Sequence, residues 1–213
     1  MPPSLGNLSH LTYLFLFQNQ LTGPIPPSFG NLRSLTDLSL YKNQFTGPIP
    51  PSLGNLTSLT ALRLFDNPFS GSVPTEISNL THLERLFLGN NYFSGHLPHI
   101  GQLSQLQELD LSSNNLQGNI PSSLGSLSRL YNLSLQNNRL SGWVPGEIGK
   151  LSNLEILDLS RNKLSGLIPQ QLGDCSQLRY LSMSENYLNG SIPFQIGNLI
   201  GLQITLDLSC NFL

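Results

Sequence analysis

The stretch Leu106–Arg129, LQELDLSSNNLQGNIPSSLGSLSR, recurs along nearly the whole chain, and this repetition constrains the fold more than any other feature. In register, it reads L-x-x-L-x-L-x-x-N-x-L-x-G-x-I-P-x-x-L-G-x-L-x-x. The Asn column is Asn19, Asn43, Asn67, Asn91, Asn114, Asn138, Asn162, Asn186 and Asn211; the Gly column runs from Gly23 to Gly190 and the Pro column from Pro26 to Pro193. Successive members are 24 residues apart, except for one interval of 23 in each column and a last Asn interval of 25. Three columns sharing one period define a repeat protein, in which each unit buries its apolar face against its neighbours.

Each residue type in the unit has a mechanical reason. Leu109 and Leu111 flank Asp110, the period of a strand with one buried face. A strand so short is marginal alone and must pair with its equivalent one unit away. The Asn column follows where the chain leaves the sheet, and stacked Asn side chains both donate and accept, so they can satisfy backbone groups of the turn. The neighbouring Asn137 reads as a solvent-facing position of little structural weight. Gly118 permits dihedrals closed to other residues, and Pro121 ends the strand because it fixes φ. Leu124 and Leu127 return apolar side chains to the core from the outer side.

The first eleven positions of the unit resemble the leucine-rich repeat, and L-x-G-x-I-P resembles its plant extracellular subtype. That resemblance covers essentially residues 3–213. It implies an α/β repeat solenoid: a right-handed superhelix with a concave parallel sheet, short second strands, and 3₁₀ or short helical turns on the convex side. The expected organisation is one solenoid over 1–213, with a partial unit at 1–10 and a truncated one at 202–213. Between them lie eight units at 11–34, 35–58, 59–82, 83–105, 106–129, 130–153, 154–177 and 178–201. Both ends fall inside a unit without a polar cap, as in an internal fragment of a longer array. The fourth unit lacks one residue in Pro98-His99-Ile100-Gly101, a length change expected on a convex turn. Ser78 replaces the usual Gly in the third unit. The extra residue between Leu202 and Leu206 must be absorbed before the strand, or the inward face would flip.

Composition narrows the function. Only 10% of residues are charged and the net charge is −2, which gives no reason to expect nucleic acid or an anionic membrane as partner. No apolar run approaches the roughly 20 residues of a membrane span, so no direct membrane insertion is expected. The run Tyr13–Phe17 sits in repeat register without a basic flank and does not read as a signal peptide. Two cysteines are too few for a disulfide framework: Cys175 takes a leucine's column as a small buried residue, and Cys210 lies beside the Asn column, apart from it. No H-E-x-x-H, G-x-S-x-G or phosphate-binding loop occurs, so neither enzymatic activity nor a cofactor is expected. His96 and His99 share a turn with no third ligand, and His10 and His82 stand three units apart, so no metal is expected either. Glu108 and Asp110 read as solvated strand residues rather than an acid/base pair.

What varies is the outward set of the concave strands. It carries Tyr13, Phe15, Phe17, Tyr41, Phe65 and Phe87 in the first half, flanked by Arg63 and Arg85, and is mostly small, polar or acidic in the second. Phe17, Tyr41 and Phe65 share one column and should form a ladder. A contiguous aromatic patch open to water points to a partner on that half, while the alternative is that stacked neighbours simply cover one another. The resemblance implies a recognition module of a plant receptor-like kinase or receptor-like protein on the extracellular side of the plasma membrane or in the apoplast. It would bind a peptide or protein ligand, with a co-receptor as a further expected partner. The other readings are a secreted enzyme inhibitor like the polygalacturonase-inhibiting proteins, or a fragment without function. Asn7, Asn55, Asn79, Asn132 and Asn189 begin N-x-S/T sequons and are candidate glycosylation positions, with Asn132 pointing out of the concave sheet.

Overall fold

The computed structural model describes residues 1–213. One parallel sheet of nine strands runs through the chain, made of Tyr13–Phe15, Asp37–Ser39, Ala61–Arg63, Arg85–Phe87, Glu108–Asp110, Asn132–Ser134, Ile156–Asp158, Tyr180–Ser182 and Thr205–Asp207. Each contributes three residues, and the register is one-to-one from unit to unit, as in Leu109↔Leu133↔Leu157. The middle leucine points inward: from Leu38 to Leu181 every one is buried. No strand could pay its ordering entropy alone, so each depends on the neighbours that take its hydrogen bonds.

Beyond the Asn column the chain forms a second, narrower strand. Those between Ser70–Ser72 and Tyr187–Asn189 make a six-stranded sheet, and Thr22–Gly23 pairs separately with Gln44–Phe45. Its glycines all have positive φ, 80° at Gly118, where the chain bends out of this strand toward the convex side. There Pro-x-x-L-G-x opens one of eight five-residue 3₁₀ helices, each entered from a proline in extended conformation, such as Pro121 with φ −68°. No helix is long and apolar enough to cross a membrane.

Between the layers lies a continuous apolar core, with Leu124 and Leu127 closing it from the convex side. Phe45, Phe69 and Phe93 stack inside it at centroid distances of 5.9 and 6.1 Å. The Asn ladder forms as the repeat implies. Asn114 Oδ1 accepts the Phe93 amide at 2.9 Å, and its Nδ2 lies 3.0–3.2 Å from the carbonyls of Leu88, Leu111 and Ser112. From Asn43 to Asn211 each Asn joins its own turn to the preceding one, so the hydrogen bonds of these turns are met inside the stack.

Three local features bear on the sequence reading. The fourth unit has no 3₁₀ helix between Tyr92–His96 and Glu108–Asp110, so its missing residue does fall on the convex turn. The extra residue of the last unit is taken up before the strand, since Thr205 pairs with Tyr180 and Leu206 with Leu181. Asn137 is not the inert position expected of it. It has φ 56°, one of nine left-handed residues that each precede an Asn of the ladder. Its amide donates to Ser160 O at 3.0 Å, so the next unit holds it in a conformation that side chains disfavour.

Candidate ligand-binding face

Alternate residues of the nine strands project from the concave face in columns. One runs Tyr13, Asp37, Ala61, Arg85, Glu108, Asn132, Ile156, Tyr180, Thr205, and the next Phe15, Ser39, Arg63, Phe87, Asp110, Ser134, Asp158, Ser182, Asp207. A third begins with Phe17, Tyr41 and Phe65, just past the strand ends.

The third column is a stack. Phe17 and Tyr41 lie 4.6 Å apart with planes 3° from parallel, Tyr41 and Phe65 lie 4.4 Å apart at 9°, and Phe87 meets Phe65 edge-on at 6.4 Å. Ring spacing follows strand spacing, so the flat faces cover one another and the ring edges are left toward the concave space. Tyr41, Phe65 and Phe87 are consequently half-buried. Tyr13, Phe15 and Phe17 are not: they are 60%, 53% and 37% exposed and touch one another at centroid distances of 5.9 and 6.2 Å. Self-covering accounts for three rings and leaves three open to solvent.

Both arginines that flank the aromatic set are paired. Arg63 Nη1 lies 2.5 Å from Asp37 Oδ2 and 3.3 Å from Ser39 Oγ, a half-buried group whose charge is met within the sheet. Asp37 lies one strand before Arg63 and in the adjacent column, a juxtaposition visible only once the unit is folded in register. Arg85 pairs more loosely with Glu84 at 3.3 Å. Ser39 and Ala61, in the first two columns, are buried.

In the second half, short hydrogen bonds fix the aspartates. Asp110 Oδ1 accepts the Ser112 amide at 2.9 Å, and Asp158 Oδ1 accepts the Ser160 amide at 3.0 Å and hydroxyl at 2.7 Å. Asp207 repeats the pattern with Ser209, whose hydroxyl and amide hold its carboxyl below the usual range. The recurring D-L-S is the signal for this: Asp at the strand end captures the amide two residues on. Burial first, then the Glu108 carboxylate, pushes the Tyr131 phenol up to about 12 at the edge of this half.

Of the sequons, Asn7, Asn55 and Asn79 are exposed at the ends of convex 3₁₀ helices, and Asn189 is exposed on the second sheet. Asn132 is half-buried in the concave sheet, where its Oδ1 accepts Ser134 Oγ at 3.3 Å. Away from the concave columns, Trp143 and Phe194 are largely exposed, and nothing in the sequence reading singles them out.

Comparison with known proteins follows the same lines. Leucine rich repeat profiles match residues 10–32, 34–56, 58–80, 82–103 and 105–127, and a further one matches 128–188. Among curated proteins nothing matches. Among solved structures, the PEPR1–AtPEP1 complex superposes with TM-score 0.96 at 39% identity, over 99% of this chain and 30% of that one. A TDR receptor gives 0.96 at 41% identity, over 100% and 37%. The Arabidopsis receptor kinase HAESA, in complex with the peptide hormone IDA and the co-receptor SERK1, gives 0.94 at 35% identity, over 99% and 35%. The chain spans about a third of the length of these receptor structures. By its repeats, its register and these likenesses, the chain belongs to the leucine-rich repeat family.

Proposed function

We propose that this chain is an extracellular recognition module of a plant receptor, binding a peptide or protein ligand on its concave face and anchoring it at the aromatic end. The observation that carries this is the open group Tyr13, Phe15 and Phe17, continuous with the stacked Tyr41, Phe65 and Phe87. Aromatic side chains bury large area at low entropic cost and dominate interface energetics. A sheet locked by the Asn ladder presents them without rearrangement, which lowers the cost of binding. The likeness to PEPR1 with AtPEP1 and to HAESA with a peptide hormone and a co-receptor supports a peptide as ligand and a second receptor chain as further partner. The same likeness supports the outer side of the plasma membrane as the place of this module.

Selection of displayed random peptides on the 213-residue chain tests this. Selected binders are expected to weaken at least about 30-fold (~2 kcal/mol) on Phe15→Ser with Phe17→Ser, and little on Trp143→Ser. The reverse order would place the ligand off the concave face.

A further inference from the structure

The lateral face beyond the Asn ladder turns apolar beside one of the sequons. Leu167 and Phe194 are 65% and 83% exposed, at repeat positions where other units carry Ser72, His96 and Asn119, or Ser122, Gly146 and Gln170. Between them, at the junction of the seventh and eighth units, lies a groove of about 590 Å³ that is lined also by Gln170, Ser191 and Gln195. Volumes of about 300–1,000 Å³ hold small ligands. The groove mixes two kinds of surface. Leu167 and Phe194 are apolar, while Gln170 and Gln195 bond each other at 3.1 Å and retain further amide donors and acceptors. Asn189 opens the sequon Asn189-Gly190-Ser191, is exposed, and pairs in register with Leu167. Ser191 of the same sequon lines the groove, and the Leu167 side chain stands where a β-carbon on Gly190 would be. Glycine in the middle of the sequon thus lets Leu167 lie across it. The other four sequons are placed elsewhere: Asn7, Asn55 and Asn79 end convex helices, and Asn132 is bonded to Ser134 in the concave sheet.

A groove that is part apolar and part amide matches a sugar. A pyranose ring carries C–H groups on its faces and hydroxyls at its rim, and an N-acetyl group adds a methyl beside an amide. The C–H groups pack against the negative face of an aromatic ring such as Phe194, and the hydroxyls exchange hydrogen bonds with amide side chains. An N-linked chain begins with two N-acetylglucosamine residues. Attachment at Asn189 delivers them to the groove at high effective concentration, so even weak packing is realised. We propose that Asn189 carries an N-linked glycan whose first N-acetylglucosamine residues lie in the groove between Leu167 and Phe194. The glycan is then a fixed part of the lateral face and covers its apolar step, whereas a chain on Asn55 extends into solvent. This uses the extracellular placement proposed above and is independent of where a ligand binds on the concave face.

The 213-residue chain, secreted from plant cells behind a cleavable leader, tests the proposal. Mass spectrometry of glycopeptides should find Asn189 occupied. An endoglycosidase that cuts between the first two sugars is then applied to the folded chain and to a Leu167→Ser, Phe194→Ser variant, whose changes are both at exposed positions. Release from Asn189 should be at least about ten-fold slower in the parent, because cleavage waits for the sugar to leave the groove. On tryptic peptides the two rates should coincide. Ser191→Ala, which removes the sequon, should lower the unfolding midpoint of the secreted chain by about 3 °C and leave that of the unglycosylated, bacterially made chain unchanged. An empty Asn189, equal release from folded parent and variant, or a Ser191→Ala effect that is the same with and without the glycan would overturn the proposal. Occupancy with equal release rates removes this inference alone. Displayed peptides that ignore Phe15 and Phe17 remove the concave-face anchor and leave the Asn189 result standing.

Discussion

The backbone carbonyl of Glu76 lies where a β-carbon on Gly54 would have to sit. The same contact joins Gly30 to Ser52, Gly101 to Ser123, Gly125 to Glu147 and Gly149 to Gln171, so the convex turns of these successive units touch backbone to backbone through one glycine column. Ser78 is the exception in the column, and the unit that follows it lacks the residue that would bring such a carbonyl. The serine and the deletion after His99 are therefore one feature: the shortened turn leaves room for the side chain, and Gln102 Nε2 spans the gap to Ser78 O at 3.2 Å.

That pairing predicts a pattern of costs. Gly54→Ala or Gly125→Ala should destabilise by about 3 kcal/mol, the upper end of overpacking, because the opposing atom is backbone. Ser78→Gly should cost under about 1 kcal/mol, the entropic penalty of glycine alone. Inserting one residue between His99 and Ile100 should harm the parent more than the Ser78→Gly background. Urea unfolding of the four combinations gives the coupling, and additivity would show that the two changes are unrelated.

The Asn ladder and its preceding residue should separate by mechanism. Asn138→Ala strands the Leu116 amide, which donates to Asn138 Oδ1 at 3.0 Å, and the carbonyls of Leu111 and Leu135; about 1–3 kcal/mol is expected. Asn137→Ala loses less, about 1 kcal/mol, because it forces alanine into φ near 56°. Asn137→Gly should be neutral or stabilising, whereas Asn138→Gly should be as damaging as Asn138→Ala. Thermal unfolding of the four variants distinguishes a backbone effect from a side-chain one.

The aromatic stack should behave as a unit. Tyr41→Ala removes the middle ring and exposes faces of Phe17 and Phe65, with an expected loss of about 0.5–1.5 kcal/mol beyond the area lost. Tyr41→Phe keeps the ring and should be close to neutral. A double-mutant cycle between Tyr41 and Phe65 reads the pairwise part.

The two thiols should react at very different rates. Cys175 is fully buried, and burial followed by the nearby Asp174 pushes its thiol up to about 11, so little thiolate forms near neutral pH. Cys210 is exposed. Maleimide at pH 7.5 should label Cys210 alone, with Cys175 reacting only in denaturant; mass spectrometry of peptides identifies the site. Protection of Cys175 should weaken as pH rises toward 11, where its thiolate forms.

Much was legible in the sequence because the period is self-checking. Leu109 against Leu133 and Leu157, the ladder through Asn114, and Phe17 over Tyr41 over Phe65 all follow from residues 24 or 23 apart occupying equivalent places. One-dimensional spacing becomes three-dimensional contact when every unit packs only on its neighbours. What the stack decided lies across two positions at once. The diagonal pairing of Arg63 with Asp37, the left-handed backbone at Asn137, and the fit of Ser78 to a missing residue each join one unit to a different column of the next. No single column carries those relationships. They depend on how closely consecutive coils approach and which atoms then face each other, and only packing sets that distance.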